Sequence, residues 1–430
     1  MTYLGYGDEI RRKRILKYRE RDSILNSISA KNASVITAGS KAEGLTCWFE
    51  SDIDNIFVEK DVLCVEAGVD LHTIPDDIEV YRMDTHVYPG HCRLSLERQA
   101  YKRLDIIQNA LCDDGQGNAI LSSGLFVEEF AKFSSTGVPL VRAGPSLPIT
   151  LGGIAHVDYV HAIRCQCPCI LQRWAERPRH WPAPDVVQKV VSLGSFVTPV
   201  GFKGSEYTFF EWRICFNTGE TELVNNLSVT QTKVYVILKM IIRDVLNPKE
   251  KEITSYVLKN IIFWQAERNS HAMFQERHLI HWLHDALGTL RTAIFSTQLP
   301  YYMIPERNLM AGCGLQEEQR RKWVADITEM LEEGPRMILR LPKIRQAIIC
   351  HPEPLLWFSR RRMELEMLGL EWFNRAAKCS DENGVCDFSD FILQEIGRRM
   401  SEIDIEVRLR MYMEGNIVND RVDIISRILM

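Results

Sequence analysis

Ser51-Asp52-Ile53-Asp54-Asn55-Ile56-Phe57-Val58 places two carboxylates at alternate positions of a strand-forming run, and shortly before it the apolar pair Val35-Ile36 gives way to Gly39-Ser40. Side chains alternate faces along a strand, so Asp52 and Asp54 point to one side while Ile53 and Ile56 can enter a core. A chain with this pattern is committed to a sheet that carries a polar, acidic end. Two carboxylates a dipeptide step apart can share a pair of Mg²⁺ ions, which bridge nucleotide phosphates, neutralise developing charge and help an attacking hydroxyl lose its proton. Gly39 and Ser40 offer backbone N–H groups and a hydroxyl to phosphate oxygens, as turns into helices do. The arrangement predicts a metal-dependent site for nucleotidyl transfer; the alternative is a Gly-Ser turn before a solvated Asp-x-Asp loop.

A third carboxylate stands far along the chain. Ile154-Ala155-His156-Val157-Asp158-Tyr159-Val160 is strand-like, is entered through the turn-rich segment Arg142 to Pro148, and carries one Asp among mostly apolar neighbours. A lone acid inside an apolar strand is costly unless it is paired or bound to metal, and a shared ion supplies that compensation. The alternative is an exposed edge strand with Asp158 facing water.

With 430 residues the chain can bury a large core. Its net charge of −5 is mild, so any nucleic-acid surface must be local. No apolar stretch approaches the ~20 residues of a membrane span. The charged start from Asp8 to Arg14 has no apolar signal core, which points to the cytoplasm. Glu9 to Ser29 lacks Gly and Pro, and Ile10, Ile15, Tyr18, Ile24, Leu25 and Ile28 form one stripe, so a long packed helix is expected. Arg11, Arg12, Lys13, Arg14 and Lys17 crowd its first half, either as phosphate contacts or as solvated charge.

Short strand-like runs at Val62 to Val65, Ile78 to Tyr81 and His91 to Leu96 continue the sheet region. From Asn226 onward helices are expected at Thr230 to Leu246, Thr254 to Glu267, Phe274 to Ser296, Glu317 to Glu333 and Phe388 to Glu414. Twelve cysteines without a framework of close spacings fit reduced thiols. Cys165, Cys167 and Cys169 lack a partner pair at zinc-ligand spacing, so free thiols beside the Pro168 turn are expected.

Several segments together carry a resemblance. Ala38-Gly39-Ser40-Lys41-Ala42-Glu43-Gly44-Leu45 with Ser51-Asp52-Ile53-Asp54, then Val157-Asp158, Arg179-His180-Trp181-Pro182, Glu211-Trp212-Arg213, Ser255-Tyr256-Val257-Leu258-Lys259 and Tyr302 to Leu309 resemble, in that order, the cGAS-like receptors. These belong to the wider male-abnormal (Mab) nucleotidyltransferase family, and the resemblance spans residues 35 to 310. It implies an α+β fold: a two-lobed nucleotidyltransferase core of mixed sheet and helices, then a helical lobe and a C-terminal helical extension. The implied boundaries are an N-terminal spine helix over 1–30, the core over 31–215, an HhH/H2TH-like lobe over 216–310 and the extension over 311–430.

The implied activity joins ATP and GTP, or related nucleotides, into a cyclic dinucleotide for innate immune signalling, with Mg²⁺ or Mn²⁺ as cofactor. Asp52, Asp54 and Asp158 would be catalytic and bind the metals, and Gly39 and Ser40 would hold a donor phosphate. Arg213 and Lys239 would contact nucleotide, while Ser255, Tyr256 and Lys259 would line the other side, Tyr256 stacking on a base. Arg213 offers a planar fork for phosphate or a guanine edge, and Lys239 is one cation in an otherwise apolar helix. Their alternatives are a local ion pair, an ordinary surface lysine and, for Tyr256, a core aromatic. The segment Val224 to Thr230 lacks the zinc-bearing insertion with which vertebrate cGAS grips DNA, so no structural zinc is expected. Cys215 and Val257 stand where that enzyme has serine and histidine, which leaves base choice open. The expected activator is an elongated RNA duplex, held through phosphates by the basic first helix. The other readings are a catalytically silent relative acting as a nucleotide-binding scaffold and a linear oligonucleotide synthase.

Overall fold

The computed structural model describes residues 1–28, 33–132, 143–151, 155–247, 252–381, 385–418 and 420–429; Ser29, Arg142 and Ile154, used in the readings above, lie outside them. Ten strands are described: β1 (Ala33–Ala38), β2 (Ile53–Val65), β3 (Glu79–Asp84), β4 (His91–Arg98), β5 (Leu111–Asp113), β6 (Ala119–Leu121), β7 (Ser146–Leu151), β8 (Ala155–Gln166), β9 (Ser195–Thr198) and β10 (Trp212–Cys215). The helices are α1 (Asp8–Ile28), α2 (Gly39–Ala42), α3 (Asp105–Asn109), α4 (Ser123–Lys132), α5 (Pro168–Ala175), α6 (Pro184–Leu193), α7 (Asn217–Asn225), α8 (Val229–Ile241), α9 (Ser255–Arg268), α10 (Leu279–Ser296), α11 (Glu317–Glu333), α12 (Pro342–Cys350), α13 (Leu355–Lys378), α14 (Phe391–Met413) and α15 (Arg421–Leu429). They fall into two compact units.

The larger unit takes in Ala30–Gly39 and Asp52–Gly334 and has the mixed sheet and helices of an α+β fold. Its strands pair as β1-β2-β3-β4-β10-β9-β8-β7, and a further parallel pairing of β2 with β8 closes six of them into a ring. β2 makes this possible by its length. Its first half lies between β1 and β8, and after an irregularity between Glu59 and Leu63 its second half lies between β3 and β8. Val62 to Val65 is thus the tail of β2 and not a separate strand. β8 is flanked by β2, β7 and β9, so the edge-strand alternative for Asp158 is corrected: strand pairing covers both sides of it.

Helix α8 starts where Ser228 accepts from the Gln231 N–H and Gln231 reaches back to the Ser228 N–H, a reciprocal cap readable in the sequence. Val234 to Leu238, Met240 and Ile241 are all buried, so this helix is wrapped on nearly every side. α9 and α10 pack against it, and α11 packs on α10, with Trp323 Nε1 donating to the Leu246 carbonyl at 2.9 Å.

The smaller unit gathers Met1–Ser29, Ser40–Ser51 and Pro335–Met430. Here α1 lies on α13. The Arg14 guanidinium meets Glu366 through two hydrogen bonds of 2.7 Å, both side chains almost wholly buried, and also donates to the carbonyls of Gly5 and Gly44. Arg11 is buried as well, its Nε donating to the Glu43 carbonyl at 3.1 Å. Lys17 pairs with Glu20 and Glu371. This corrects the sequence reading of the basic helix: Arg11 and Arg14 are structural cations turned into the protein, whereas Arg12 and Lys13 are exposed and paired with Asp8 and Glu9. Phe358, Leu365, Ile403, Val407, Met411, Ile424 and Ile428 form the apolar core of the unit. The spine helix and the segment Pro335–Met430 share the smaller unit, and Asp52–Gly334 lies in the larger one.

Candidate active site

Asp54 on β2 and Asp158 on β8 are direct partners in the parallel register. Side chains at paired positions of neighbouring strands stand on the same face, so the two carboxylates lie side by side. Behind them the same face is apolar: Ile56 and Val58 of β2 and Ala162 of β8 pack with Ala38 and Phe196. The acidic pair therefore sits at the rim of a packed surface, both groups half-exposed. Ser146 on β7 donates its hydroxyl to Asp158 Oδ1 at 2.8 Å and fixes that carboxylate from the far side.

Gly39 follows the β1 residue Ala38, which pairs with Asp54. Its φ is +63°, and a Cβ built there would lie 2.3 Å from Asp54 Oδ2. The glycine is required twice over, for its backbone and for the room it leaves the carboxylate. Asp52 precedes β2 and is exposed. The donor set is all oxygen, which suits a hard divalent cation such as Mg²⁺ or Mn²⁺. Among the described residues no three His, Cys, Asp or Glu side chains stand close enough to hold an ion together, so Asp52 is not drawn onto the Asp54/Asp158 pair in this conformation. Ser40 belongs to the other unit, as the second residue of α2.

A second group of predicted residues is gathered around Glu220 of α7. Its Oε1 accepts the phenol hydroxyls of Tyr256 at 2.9 Å and Tyr301 at 2.7 Å, and Lys259 approaches its Oε2 at 3.5 Å. Burial lifts both phenols well above their ordinary range, with the Glu220 charge next in effect. Tyr256 is thus anchored at its hydroxyl while its ring is only half-buried, and Lys259 is an almost fully buried ion-pair partner. Arg213 on β10 pairs in register with His91 on β4. Burial, followed by the positive charges of Arg307 and Arg213, pushes the His91 imidazole down to about 3, so it is neutral at pH 7. Arg307 also lies over the Tyr301 ring at 5.1 Å. Lys239 sits 5.6 Å from the Tyr235 ring, and the Tyr235 hydroxyl donates to the carbonyl of Ser255, which places Lys239 and Ser255 at one junction of α8 and α9.

Residues 230–329 match the profile of the Mab-21 protein HhH/H2TH-like domain. The chain carries a Mab-21 domain. The match covers α8 through most of α11. It supports the Mab-21 family, whose fold is nucleotidyltransferase-like and which includes non-catalytic members. No curated protein matches the chain. Lys239, Ser255, Tyr256, Lys259, Tyr301 and Arg307 all lie within the Mab-21 domain, whereas the three aspartates lie outside it.

Sequence reasoning missed Glu220, His91, Tyr301 and Ser146. Glu220 carries no local signal, being one of two acids in the polar stretch Asn217 to Glu222, and it becomes the hub only when α7, α9 and Tyr301 meet. Cys165 and Cys167 are buried, Cys167 Sγ lying 3.0 Å from Ser195 Oγ, while Cys169 is exposed. Among the described residues no helix is long and apolar enough to cross a membrane.

Proposed function

We propose that the protein is a nucleotidyltransferase of the cGAS-like receptor type, which makes a cyclic dinucleotide from ATP and GTP or related nucleotides. The observation that carries this reading is the in-register pair Asp54/Asp158 beside a glycine that leaves room for one of its carboxylates. Asp54, Asp158 and Asp52 would hold the divalent ions, which would supply charge neutralisation for attack on a nucleotide phosphate. The chain's own contribution is positioning. Ser146 holds Asp158 in one orientation, and the backbone of Gly39 leaves the approach to Asp54 open. Arg213 and Arg307 supply positive charge, while His91 stays neutral and adds none of its own. Tyr256, tethered at its hydroxyl to Glu220, offers the half-exposed face of a fixed ring for a base to stack upon.

The activator we propose is an RNA duplex held without base reading by the exposed cations of α1, Arg12, Lys13 and Arg19. Such contact weakens steeply with salt, losing about one unit of slope per phosphate contact removed. The test incubates the purified chain with all four NTPs, Mg²⁺ or Mn²⁺, and a panel of RNA and DNA duplexes, with products identified by mass. A cyclic dinucleotide formed with RNA duplex alone is the expected outcome, and equal synthesis without nucleic acid sinks the activator. A second reading, a silent scaffold, is favoured by one observation: no three acidic groups are assembled around an ion position among the described residues. Nucleotide binding without any product in the same assay would decide for it.

A further inference from the structure

Helix α14 turns Ile403, Val407 and Met411 into the core of the smaller unit. Its opposite side carries Ile405, Leu409, Tyr412 and Met413, spaced i, i+4, i+7 and i+8, so all four stand on one face. Just past the helix end the Asn416 N–H donates to the Met411 carbonyl at 2.9 Å and the Tyr412 hydroxyl to the Val418 carbonyl at 3.4 Å, which sets Ile417 beside the same face. These five apolar side chains are between 51% and 82% exposed.

At roughly 100–150 Å² apiece the five bring about 600 Å² of apolar surface together, the size at which an exposed patch on a monomer marks an interaction site. A standard interface buries about 800 Å² on each partner, with an apolar centre inside a polar rim. Most of the charge around the stripe is paired within the chain: Glu402 and Glu406 with Arg399, and Glu414 with Arg410 and Arg427. Arg408, exposed at the edge of the stripe, has a stem long enough to keep its head in water. A strongly charged partner would find little here to neutralise. The pattern instead matches itself. Ile405 and Met413 stand four residues, about 6 Å along the axis, on either side of Leu409.

We propose that this face docks a second copy of the chain, in an antiparallel, twofold-symmetric pair of α14 helices that cross at Leu409. Leu409 of one copy packs on Leu409 of the other, and Ile405 of each copy packs on Met413 of the other, the reciprocity that an isologous contact requires. Tyr412 and Ile417 widen the apolar centre. The Tyr412 hydroxyl keeps its hydrogen bond to the Val418 carbonyl, so its burial leaves no unmet donor. The pairing uses none of the three aspartates and none of the proposed nucleotide contacts, so it stands or falls independently of the nucleotidyltransferase reading.

The test is sedimentation equilibrium of the full chain under reducing conditions. The expected result is a monomer–dimer equilibrium with a Kd of about 10 µM or tighter, inside the span that interfaces of this size cover. Leu409 is 56% exposed and tolerates replacement, and Leu409→Glu sets two carboxylates against each other on the axis. It should weaken the dimer by at least about a hundredfold with an unchanged circular dichroism spectrum. Leu409→Cys should cross-link two copies as a disulfide under mild oxidation, well above the level of the natural chain and of Ile392→Cys, which lies on the same helix off the stripe. A natively folded chain that stays monomeric at about twentyfold the expected Kd would overturn the proposal and leave the face to a different protein. A dimer indifferent to Leu409→Glu, or cross-linking no greater for Leu409→Cys than for Ile392→Cys, would overturn it as well.

Discussion

At Gly39 the missing side chain does the positioning. A methyl group there would strike the Asp54 carboxylate and strain a backbone at φ +63°. Gly39→Ala is expected to cost about 1–3 kcal/mol of stability, read from a denaturant melt, and to remove product by displacing Asp54. Asp54→Asn and Asp158→Asn are expected to abolish product while changing stability by less than about 1 kcal/mol, since both groups are half-exposed and metal carboxylates held close together repel. His91 gives a pH signature. Its folded value is depressed to about 3, below the ordinary histidine value of 6.5, so the unfolded chain takes up the proton first and stability falls as pH drops below 6.5. The slope is about 1.4 kcal/mol per pH unit at most. His91→Gln should flatten the unfolding free energy between pH 6.5 and 5.5, above the range where most carboxylates titrate. At this scale strand alternation made the face of Asp54 legible, whereas Asp52 lies just before β2 and is exposed. The register that sets Asp54 against Asp158 was not legible, because it depends on two strands far apart in the chain meeting in parallel.

Helix α1 shows how far periodicity reaches. Its apolar stripe marked it as packed, yet Arg11 and Arg14 face inward too, because their partners are supplied by Glu43 and by Glu366 on α13. Helix α13 escaped sequence detection for the reciprocal reason: Arg362, Glu366 and Asn374 lie on its buried face and interrupt the apolar repeat. Glu366→Ala leaves the Arg14 charge buried without its carboxylate, and is expected to cost about 3–5 kcal/mol. Arg12→Ala, at an exposed position of the same helix, should stay within about 0.5 kcal/mol. Equal melting curves for the two variants would contradict the assignment of inner and outer cations.

In the whole molecule, three stretches far apart in sequence build the smaller unit, so the ends of the chain fold together. A chain cut after Gly334 keeps Asp52, Asp54, Asp158 and the Mab-21 domain but strips α1 of α13. It should expose the buried face of α1 and lose its cooperative melt in that part, as seen by hydrogen exchange over residues 8–28. The larger unit was legible as sheet followed by helices because its strand runs and helix caps are local signals. The smaller unit was not, since nothing in residues 1–51 points to residues 335–430. The central claim, that Asp54 and Asp158 form a nucleotidyl-transfer site, is tested most directly by pyrophosphate release from ATP and GTP with Mn²⁺ and RNA duplex. The account predicts release by the natural chain and none by Asp158→Asn with the same melting curve; equal release by both, or none by a natively folded natural chain across the duplex panel, would contradict it.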